Sequence, residues 1–262
     1  MKLEIKEKLK ISLIQYNVIW EDPKANHQYL DDLLKDHQTD IILLPEMFSS
    51  GFSMNVELIG EKPFGPTFDW MLQKAKELDC AIAGSISTNE NDKYYNRFYF
   101  VTPNNGIYIY DKKHLFSYGK EASVYSPGDK IVTIDYKGWQ IRPIVCYDLR
   151  FPVWIRNTDE NPYDLILCNA SWPKARREAW ISLLKARSIE NMSYIAGVNR
   201  TGIDGYNLEY KGDSHLFDTL GEELDVINSN SEILQFEIDK EKQDKTRTHF
   251  NFLNDRDSFH FG

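Results

Sequence analysis

The chain has 262 residues and a formal net charge of −9, with 42% hydrophobic and 27% charged residues. That length suits one large α/β domain or two small ones, and the composition is ordinary for a soluble globular protein. The acidic balance argues against a nucleic-acid surface, which needs clustered Lys and Arg, and no apolar run approaches the ~20 residues of a membrane span.

In chain order, the start MKLEIKEKLKISLIQ alternates charged and apolar residues and lacks the apolar segment of a signal peptide. The three cysteines, Cys80, Cys146 and Cys168, are too widely spaced for a disulfide framework or a zinc finger, which suggests a reducing cytoplasm. Apolar, β-rich runs recur at 11–18, 41–45, 81–87, 96–102, 107–110, 131–135, 140–146, 164–169, 194–199, 214–218 and 233–238. Several are Ile/Val/Leu-rich without alternation, as expected of strands covered by helices.

Helical spacing appears at 26–37 (Tyr29, Leu30, Leu33, Leu34) and at 67–79 (Phe68, Met71, Leu72, Ala75, Leu78). A third stretch, 175–192, follows Pro173 and stacks Ala179, Trp180, Leu183, Leu184, Ala186 and Ile189. No linker or repeat interrupts the chain. A single α/β domain over 1–262 is expected, with enough strands for two packed sheets and helices on their outer faces.

The chemistry gathers at strand ends. The run Arg142–Val145 delivers Cys146 and turns charged at once through Asp148 and Arg150, so the thiol emerges from a buried strand toward a cleft. A turn there presents backbone N–H groups to a substrate carbonyl, as an oxyanion hole requires. Cys80 and Cys168 sit in apolar context and read as inert.

The strand 40–45 ends in Pro45 and presents Glu46 before apolar Met47 and Phe48. A carboxylate in that setting should have a raised pKa suited to acid/base work; the alternative is a solvent-facing strand end. Lys112 and Lys113 follow the strand 107–110, and alternation lets at most one of them point into a shared cleft. Read alone, each lysine is a solvated side chain, His114 a packing or capping histidine, and Glu121 an exposed loop carboxylate. Taken together, a thiol, a carboxylate base and an ammonium that lowers the thiol pKa and holds an oxyanion form a working set.

Three words carry a family resemblance: LLPEMFSSGFSM around Glu46, YDKKHLF around Lys112 and IVCYDLRFPVW around Cys146. NASWPKAR, ARSIENMSYIAGVNRTG, YKGDSHLFDTLGE and FNFLNDRDSF support them. The chain resembles the nitrilase, or carbon–nitrogen hydrolase, superfamily over nearly its whole length, and within it the bacterial omega-amidase branch.

The resemblance implies a four-layer α-β-β-α sandwich and a Glu46–Lys112–Cys146 catalytic set. It implies a supporting Glu121, a backbone oxyanion contact at Tyr147, no metal or nucleotide cofactor, and a homodimer. The implied substrates are small omega-amides of dicarboxylates, such as 2-oxoglutaramate or 2-oxosuccinamate, cleaved through a cysteine thioester. Activity on N-carbamoyl amino acids, other amides or nitriles remains open, as does a non-catalytic binding role on the same fold. A cysteine–histidine hydrolase using His114 or His215 is a further alternative.

Trp172 and Phe48 are candidates for pocket lining, with ordinary core aromatics as the alternative. Arg150 either binds a substrate carboxylate or pairs with Asp148 or another acid. Asn199 and Arg200 carry the same two readings. No nucleic-acid or membrane partner is expected.

Overall fold

The computed structural model describes residues 6–230 and 232–257. Two residues of the FNFLNDRDSF word, Ser258 and Phe259, and the first five of the chain lie outside that range.

The first half supplies five strands of one sheet and its helices: β1 (Lys8–Ile14), α1 (Pro23–Leu33), β2 (Ile41–Leu43), the single-turn α2 (Val56–Ile59), α3 (Pro66–Leu78), β3 (Ala81–Glu90), β4 (Lys93–Val101) and β5 (Ile107–Asp111). The second half supplies β6 (Ile134–Tyr136), β7 (Trp139–Val145), the short α4 (Pro152–Ile155), β8 (Leu165–Ala170), α5 (Arg177–Asn191) and β9 (Tyr194–Asn199). It continues with β10 (Thr201–Ile203), β11 (Glu209–Lys211), β12 (His215–Phe217), β13 (Asn228–Ser229), β14 (Ile233–Asp239) and α6 (Lys240–Phe250).

The strands form a seven-stranded sheet, β13-β14-β1-β2-β3-β4-β5, a five-stranded sheet, β12-β9-β8-β7-β6, and the separate hairpin β10-β11. Each large sheet has a parallel centre, β1-β2-β3 in one and β7-β8-β9 in the other, flanked by antiparallel strands.

Strand alternation sets the layers. Ile41 and Leu43 face the second sheet in one core cluster, whereas Ile42 and Leu44 face α1 and α3, packing with Leu30, Leu34, Phe68 and Met71. On the other side, Trp180 and Leu184 of α5 press onto β9, and Gly197 makes that approach possible. A Cβ at Gly197 would lie 2.6 Å from Leu184 Cδ1. The result is the expected α-β-β-α sandwich.

The expected strands are all present, with shifted ends. The runs at 81–87 and 96–102 prove to be two arms of one long hairpin. Its turn residues Asn91 and Asp92 both adopt positive φ, which matches the twist of the strands. α1 begins at Pro23 because Asp22 caps it, accepting from the Ala25 N–H at 3.0 Å. Two residues of the expected apolar stripes face outward instead: Tyr29 is 36% exposed and Ile189 46% exposed. α6 and the hairpin β10-β11 are additions to the elements read from the sequence.

Candidate active site

Four chain segments converge where the parallel strands end, the usual place for a site in an α/β fold. Glu46 lies three residues beyond β2, Cys146 directly follows β7, Ser171 follows β8, and Lys112 follows β5. The cleft there has a volume of about 630 Å³ and includes Glu46, Phe52, Cys146, Tyr147, Ser171 and Trp172 in its lining, with Lys112 buried behind Glu46.

Glu46, Lys112 and Glu121 are all fully buried. The Lys112 ammonium donates to Glu46 Oε1 at 2.8 Å and to Glu121 Oε2 at 2.8 Å. The Ser171 backbone N–H donates to Glu46 Oε2 at 2.9 Å, and the Phe116 N–H to Glu121 Oε2 at 2.6 Å. Asn96 Nδ2 bridges the two carboxylates, 2.8 Å from Glu46 Oε1 and 3.0 Å from Glu121 Oε1.

Two carboxylates therefore share one ammonium in a dry environment. Burial disfavours the charged lysine, but Glu121 and Glu46 outweigh it and hold its pKa above the usual lysine value. Burial also lifts the Glu121 carboxyl; Lys112 opposes the rise, Glu46 adds to it, and the balance stays above the usual carboxylate value.

Cys146 heads a 3₁₀ turn spanning Cys146–Arg150 with φ of +44°, a left-handed conformation that a non-glycine residue adopts only when its surroundings hold it there. Asp148 provides much of the hold. Its carboxylate accepts from the Val145 N–H at 3.0 Å, the Tyr110 hydroxyl at 2.8 Å and the His114 N–H at 2.8 Å. The His114 ring also bonds Asp148 and stacks on Phe151 at 3.7 Å. Burial pushes the Cys146 thiol well above its usual pKa, Glu46 adds to the rise, and Lys112 opposes it. The resting group is a neutral thiol with a carboxylate beside it, so attack requires a base.

Neither His114 nor His215 lines the cleft; His215 pairs with Glu223. Lys113 is half-buried, with its ammonium 5.3 Å from the Trp154 ring centre. Lys112 and not Lys113 therefore enters the site. Trp172 lines the cleft.

Phe48 does not line it. It lies with Ile42, Leu44 and Trp70 on the far face of the first sheet, against Gly84. The positive φ of Met47 reverses the chain just after Glu46, and Phe52 occupies the cleft instead, its ring 5.2 Å from Lys112 Nζ. Arg150 does not pair with Asp148 either, because that carboxylate is already occupied. Its guanidinium lies 4.8 Å from the Trp172 ring.

Asn199 clamps the exit of β8, accepting from the Trp172 N–H at 2.8 Å and donating to the Trp172 carbonyl at 2.9 Å. Arg200 donates to the Val18 carbonyl at 3.0 Å, a structural tie. Asn96 went unread in the sequence, although its phase with the core residues Phe98 and Phe100 marks a polar side chain pointing inward.

Residues 10–248 match the family model for carbon–nitrogen hydrolases. The chain belongs to the carbon–nitrogen hydrolase family. It is 40% identical to an omega-amidase of Yersinia enterocolitica over 96% of this chain and 98% of that protein. It is 29% identical to a 2-oxoglutaramate amidase of Bacillus subtilis over 92% of this chain and 94% of that one.

Among solved structures it is similar to a carbon–nitrogen hydrolase superfamily protein of Xanthomonas campestris, described with an arsenic adduct in its active site. The TM-score is 0.93, the identity 41%, and the coverage 98% of this chain and 100% of that one.

The cleft also ranks the thiols of this hydrolase. Cys146 is 9% exposed within it, whereas Cys80 and Cys168 are fully buried. Burial pushes Cys80 up to about 12 and Cys168 well above the usual thiol value. Brief iodoacetamide treatment of the native protein should therefore alkylate Cys146 first, and faster as pH rises, because its raised pKa keeps the thiolate scarce near neutrality. Peptide mass spectrometry reads the order; equal labelling of all three would contradict it.

Proposed function

We propose that this carbon–nitrogen hydrolase cleaves the terminal amide of small omega-amides of dicarboxylates, of the 2-oxoglutaramate type, to acid and ammonia. The observation that carries this reading is that Cys146 and Glu46 line one cleft, with Glu46 bonded to the buried Lys112, which also bonds Glu121. The names of the relatives supply the substrate class.

Glu46 takes the Cys146 proton as sulfur attacks the amide carbon. Lys112 and the backbone N–H of Tyr147, at the first turn where N–H groups lack helical partners, hold the oxyanion. Glu46 then returns the proton to the departing nitrogen, ammonia leaves, and a Cys146 thioester remains. Water attacks the thioester as Glu46 accepts its proton. The tetrahedral intermediate collapses to the carboxylic acid, and the sulfur regains its proton from Glu46. Glu121 fixes Lys112. Each proton and charge is handled by side chains and the Tyr147 backbone N–H, so the reaction calls for neither metal nor organic cofactor.

The same reading takes residues 1–262 as a single hydrolase domain acting in the cytoplasm as a homodimer, whose sedimentation mass would be twice the 30.7 kDa of the chain. Among the described residues no helix is long and apolar enough to cross a membrane.

Steady-state ammonia release from 2-oxoglutaramate, glutaramate, N-carbamoyl-β-alanine and a simple nitrile tests the substrate class. The two omega-amides should be turned over with the highest kcat/KM. Preference for the carbamoyl compound or the nitrile would move the enzyme to another branch of the superfamily.

A further inference from the structure

Two buried glutamates bond the same lysine, and the hydrogen bonds around them distinguish one from the other. Lys112 spends its three N–H donors on Glu46 Oε1 at 2.8 Å and on Glu121 Oε1 and Oε2 at 3.0 and 2.8 Å. Asn96 spends both hydrogens of its amide nitrogen on the same pair, reaching Glu46 Oε1 at 2.8 Å and Glu121 Oε1 at 3.0 Å. The Phe116 N–H completes Glu121 Oε2 at 2.6 Å.

A carboxylate oxygen offers two lone pairs. Both oxygens of Glu121 accept twice, and so does Glu46 Oε1. Among the described residues, Glu46 Oε2 accepts from the Ser171 N–H alone, at 2.9 Å. Burial raises the Cys146 thiol pKa, and that same Ser171 N–H opposes the rise. The open lone pair of the base and the sulfur thus meet at one donor.

Asn96 is fully buried on β4, and its carbonyl accepts the Lys112 backbone N–H at 3.0 Å, so one strand places amide and lysine together. An inverted amide would press its oxygen against two carboxylate oxygens, so the network sets its orientation. Oδ1 accepts from none of the described residues, and the side chain faces the cluster as a donor only.

Those donors matter because burial, opposed by Lys112 and aided by Glu46, leaves the Glu121 carboxyl above the usual value. A proton taken there would displace a donor and loosen Lys112, the cation of the oxyanion. Cys146, Cys168 and Tyr125 also act on or feel this cluster, and burial pushes all three upward. Near neutrality Lys112 is therefore the charged partner among them.

We infer that Asn96 is a positioning residue of the hydrolytic reaction: its two donated hydrogens hold Glu121 as a standing acceptor and leave Glu46 Oε2 as the one place for the Cys146 proton. The inference rests on the amidase reading above and deepens it by giving the reason one glutamate is the base and the other is not. In the step itself the S–H bond breaks, an O–H bond forms at Oε2, and the sulfur electron pair goes to the substrate carbon.

Asn96→Leu keeps the size of the side chain and removes both donors, whereas Asn96→Ala opens room in which a water can donate instead. The measurement is kcat/KM for ammonia release from glutaramate between about pH 5 and 9, whose acid limb reports the carboxylates of the free enzyme. Losing a hydrogen bond to a charged group corresponds to a shift of about one pH unit or more. The acid limb should move up by that much in Asn96→Leu and by less in Asn96→Ala. Each variant should then regain part of its lost activity on the alkaline side.

Circular dichroism identifies the folded variants, and Asn96→Ala decides alone if the leucine protein does not fold. An acid limb that stays in place or moves down in a folded variant would overturn the inference, since a merely structural role lowers kcat/KM by one factor at every pH. The amidase reading would survive that result. No ammonia from the native enzyme with glutaramate or any of the other three compounds above would overturn both.

Discussion

Replacing Lys112 with alanine is expected to lower amide turnover by on the order of 10³-fold or more, while Lys113→Ala changes it only a few-fold. Among the described residues Lys112 is the one cation bonded to Glu46, and it is the charge that opposes the rise in the Cys146 thiol pKa. Its loss removes an oxyanion donor and makes the thiolate harder to form. It also leaves Glu46 and Glu121, both fully buried, facing each other without a counter-charge. Breaking a buried pair of this kind costs about 3–5 kcal/mol.

The variant should answer by taking up a proton on the carboxylates, which removes the base that the thiol needs. Lys112→Met keeps the volume of the side chain and separates the charge effect from a packing defect. Among the described residues, Lys113 forfeits its contact with the Trp154 ring, about 0.5–1 kcal/mol. Ammonia release and urea midpoints on the three proteins measure both effects. Equal losses at 112 and 113 would place the wrong lysine in the site.

Strand alternation alone said that at most one of those neighbours enters the cleft; the resemblance of the YDKKHLF word assigned that place to Lys112. Cys146 stood out because a buried apolar run turns charged immediately after it, whereas Glu46 read alone as a solvent-facing strand end and gained its role only beside the thiol, the lysine and the family words. What the residues did not disclose depends on local backbone reversals and on long-range hydrogen bonds. Phe48 looked like a neighbour of Glu46, but the positive φ at Met47 turns it beneath the sheet and leaves the cleft to Phe52.

α6 has no apolar periodicity to reveal it. It is anchored instead by the Asp239 cap and by Arg247, which bonds Asp164 Oδ1 at 2.9 Å and the Tyr163 carbonyl at 2.8 Å. The hairpin β10-β11, which brings Tyr206, Leu208 and Tyr210 to the cleft, has strands of only three residues each, too short to show a pattern. Asn96 was readable in principle. A polar residue in phase with Phe98 and Phe100 must be satisfied inside, and its two carboxylate partners lie 50 and 25 residues away in the chain.

The nucleophile is the point on which the rest depends. Cys146→Ala removes the sulfur but none of the bonds that shape the elbow, since Asp148 is held through Val145, Tyr110 and His114 rather than through the thiol. The positive φ at position 146 costs alanine no more than cysteine. The variant should therefore fold as the native protein does and yet have no group able to form the thioester.

The most direct measurement is ammonia release from glutaramate by native enzyme and Cys146→Ala at equal concentration, with circular dichroism confirming that both are folded. The account predicts turnover by the native enzyme and none above background by the variant. Turnover by a folded Cys146→Ala protein comparable to the native rate would contradict it.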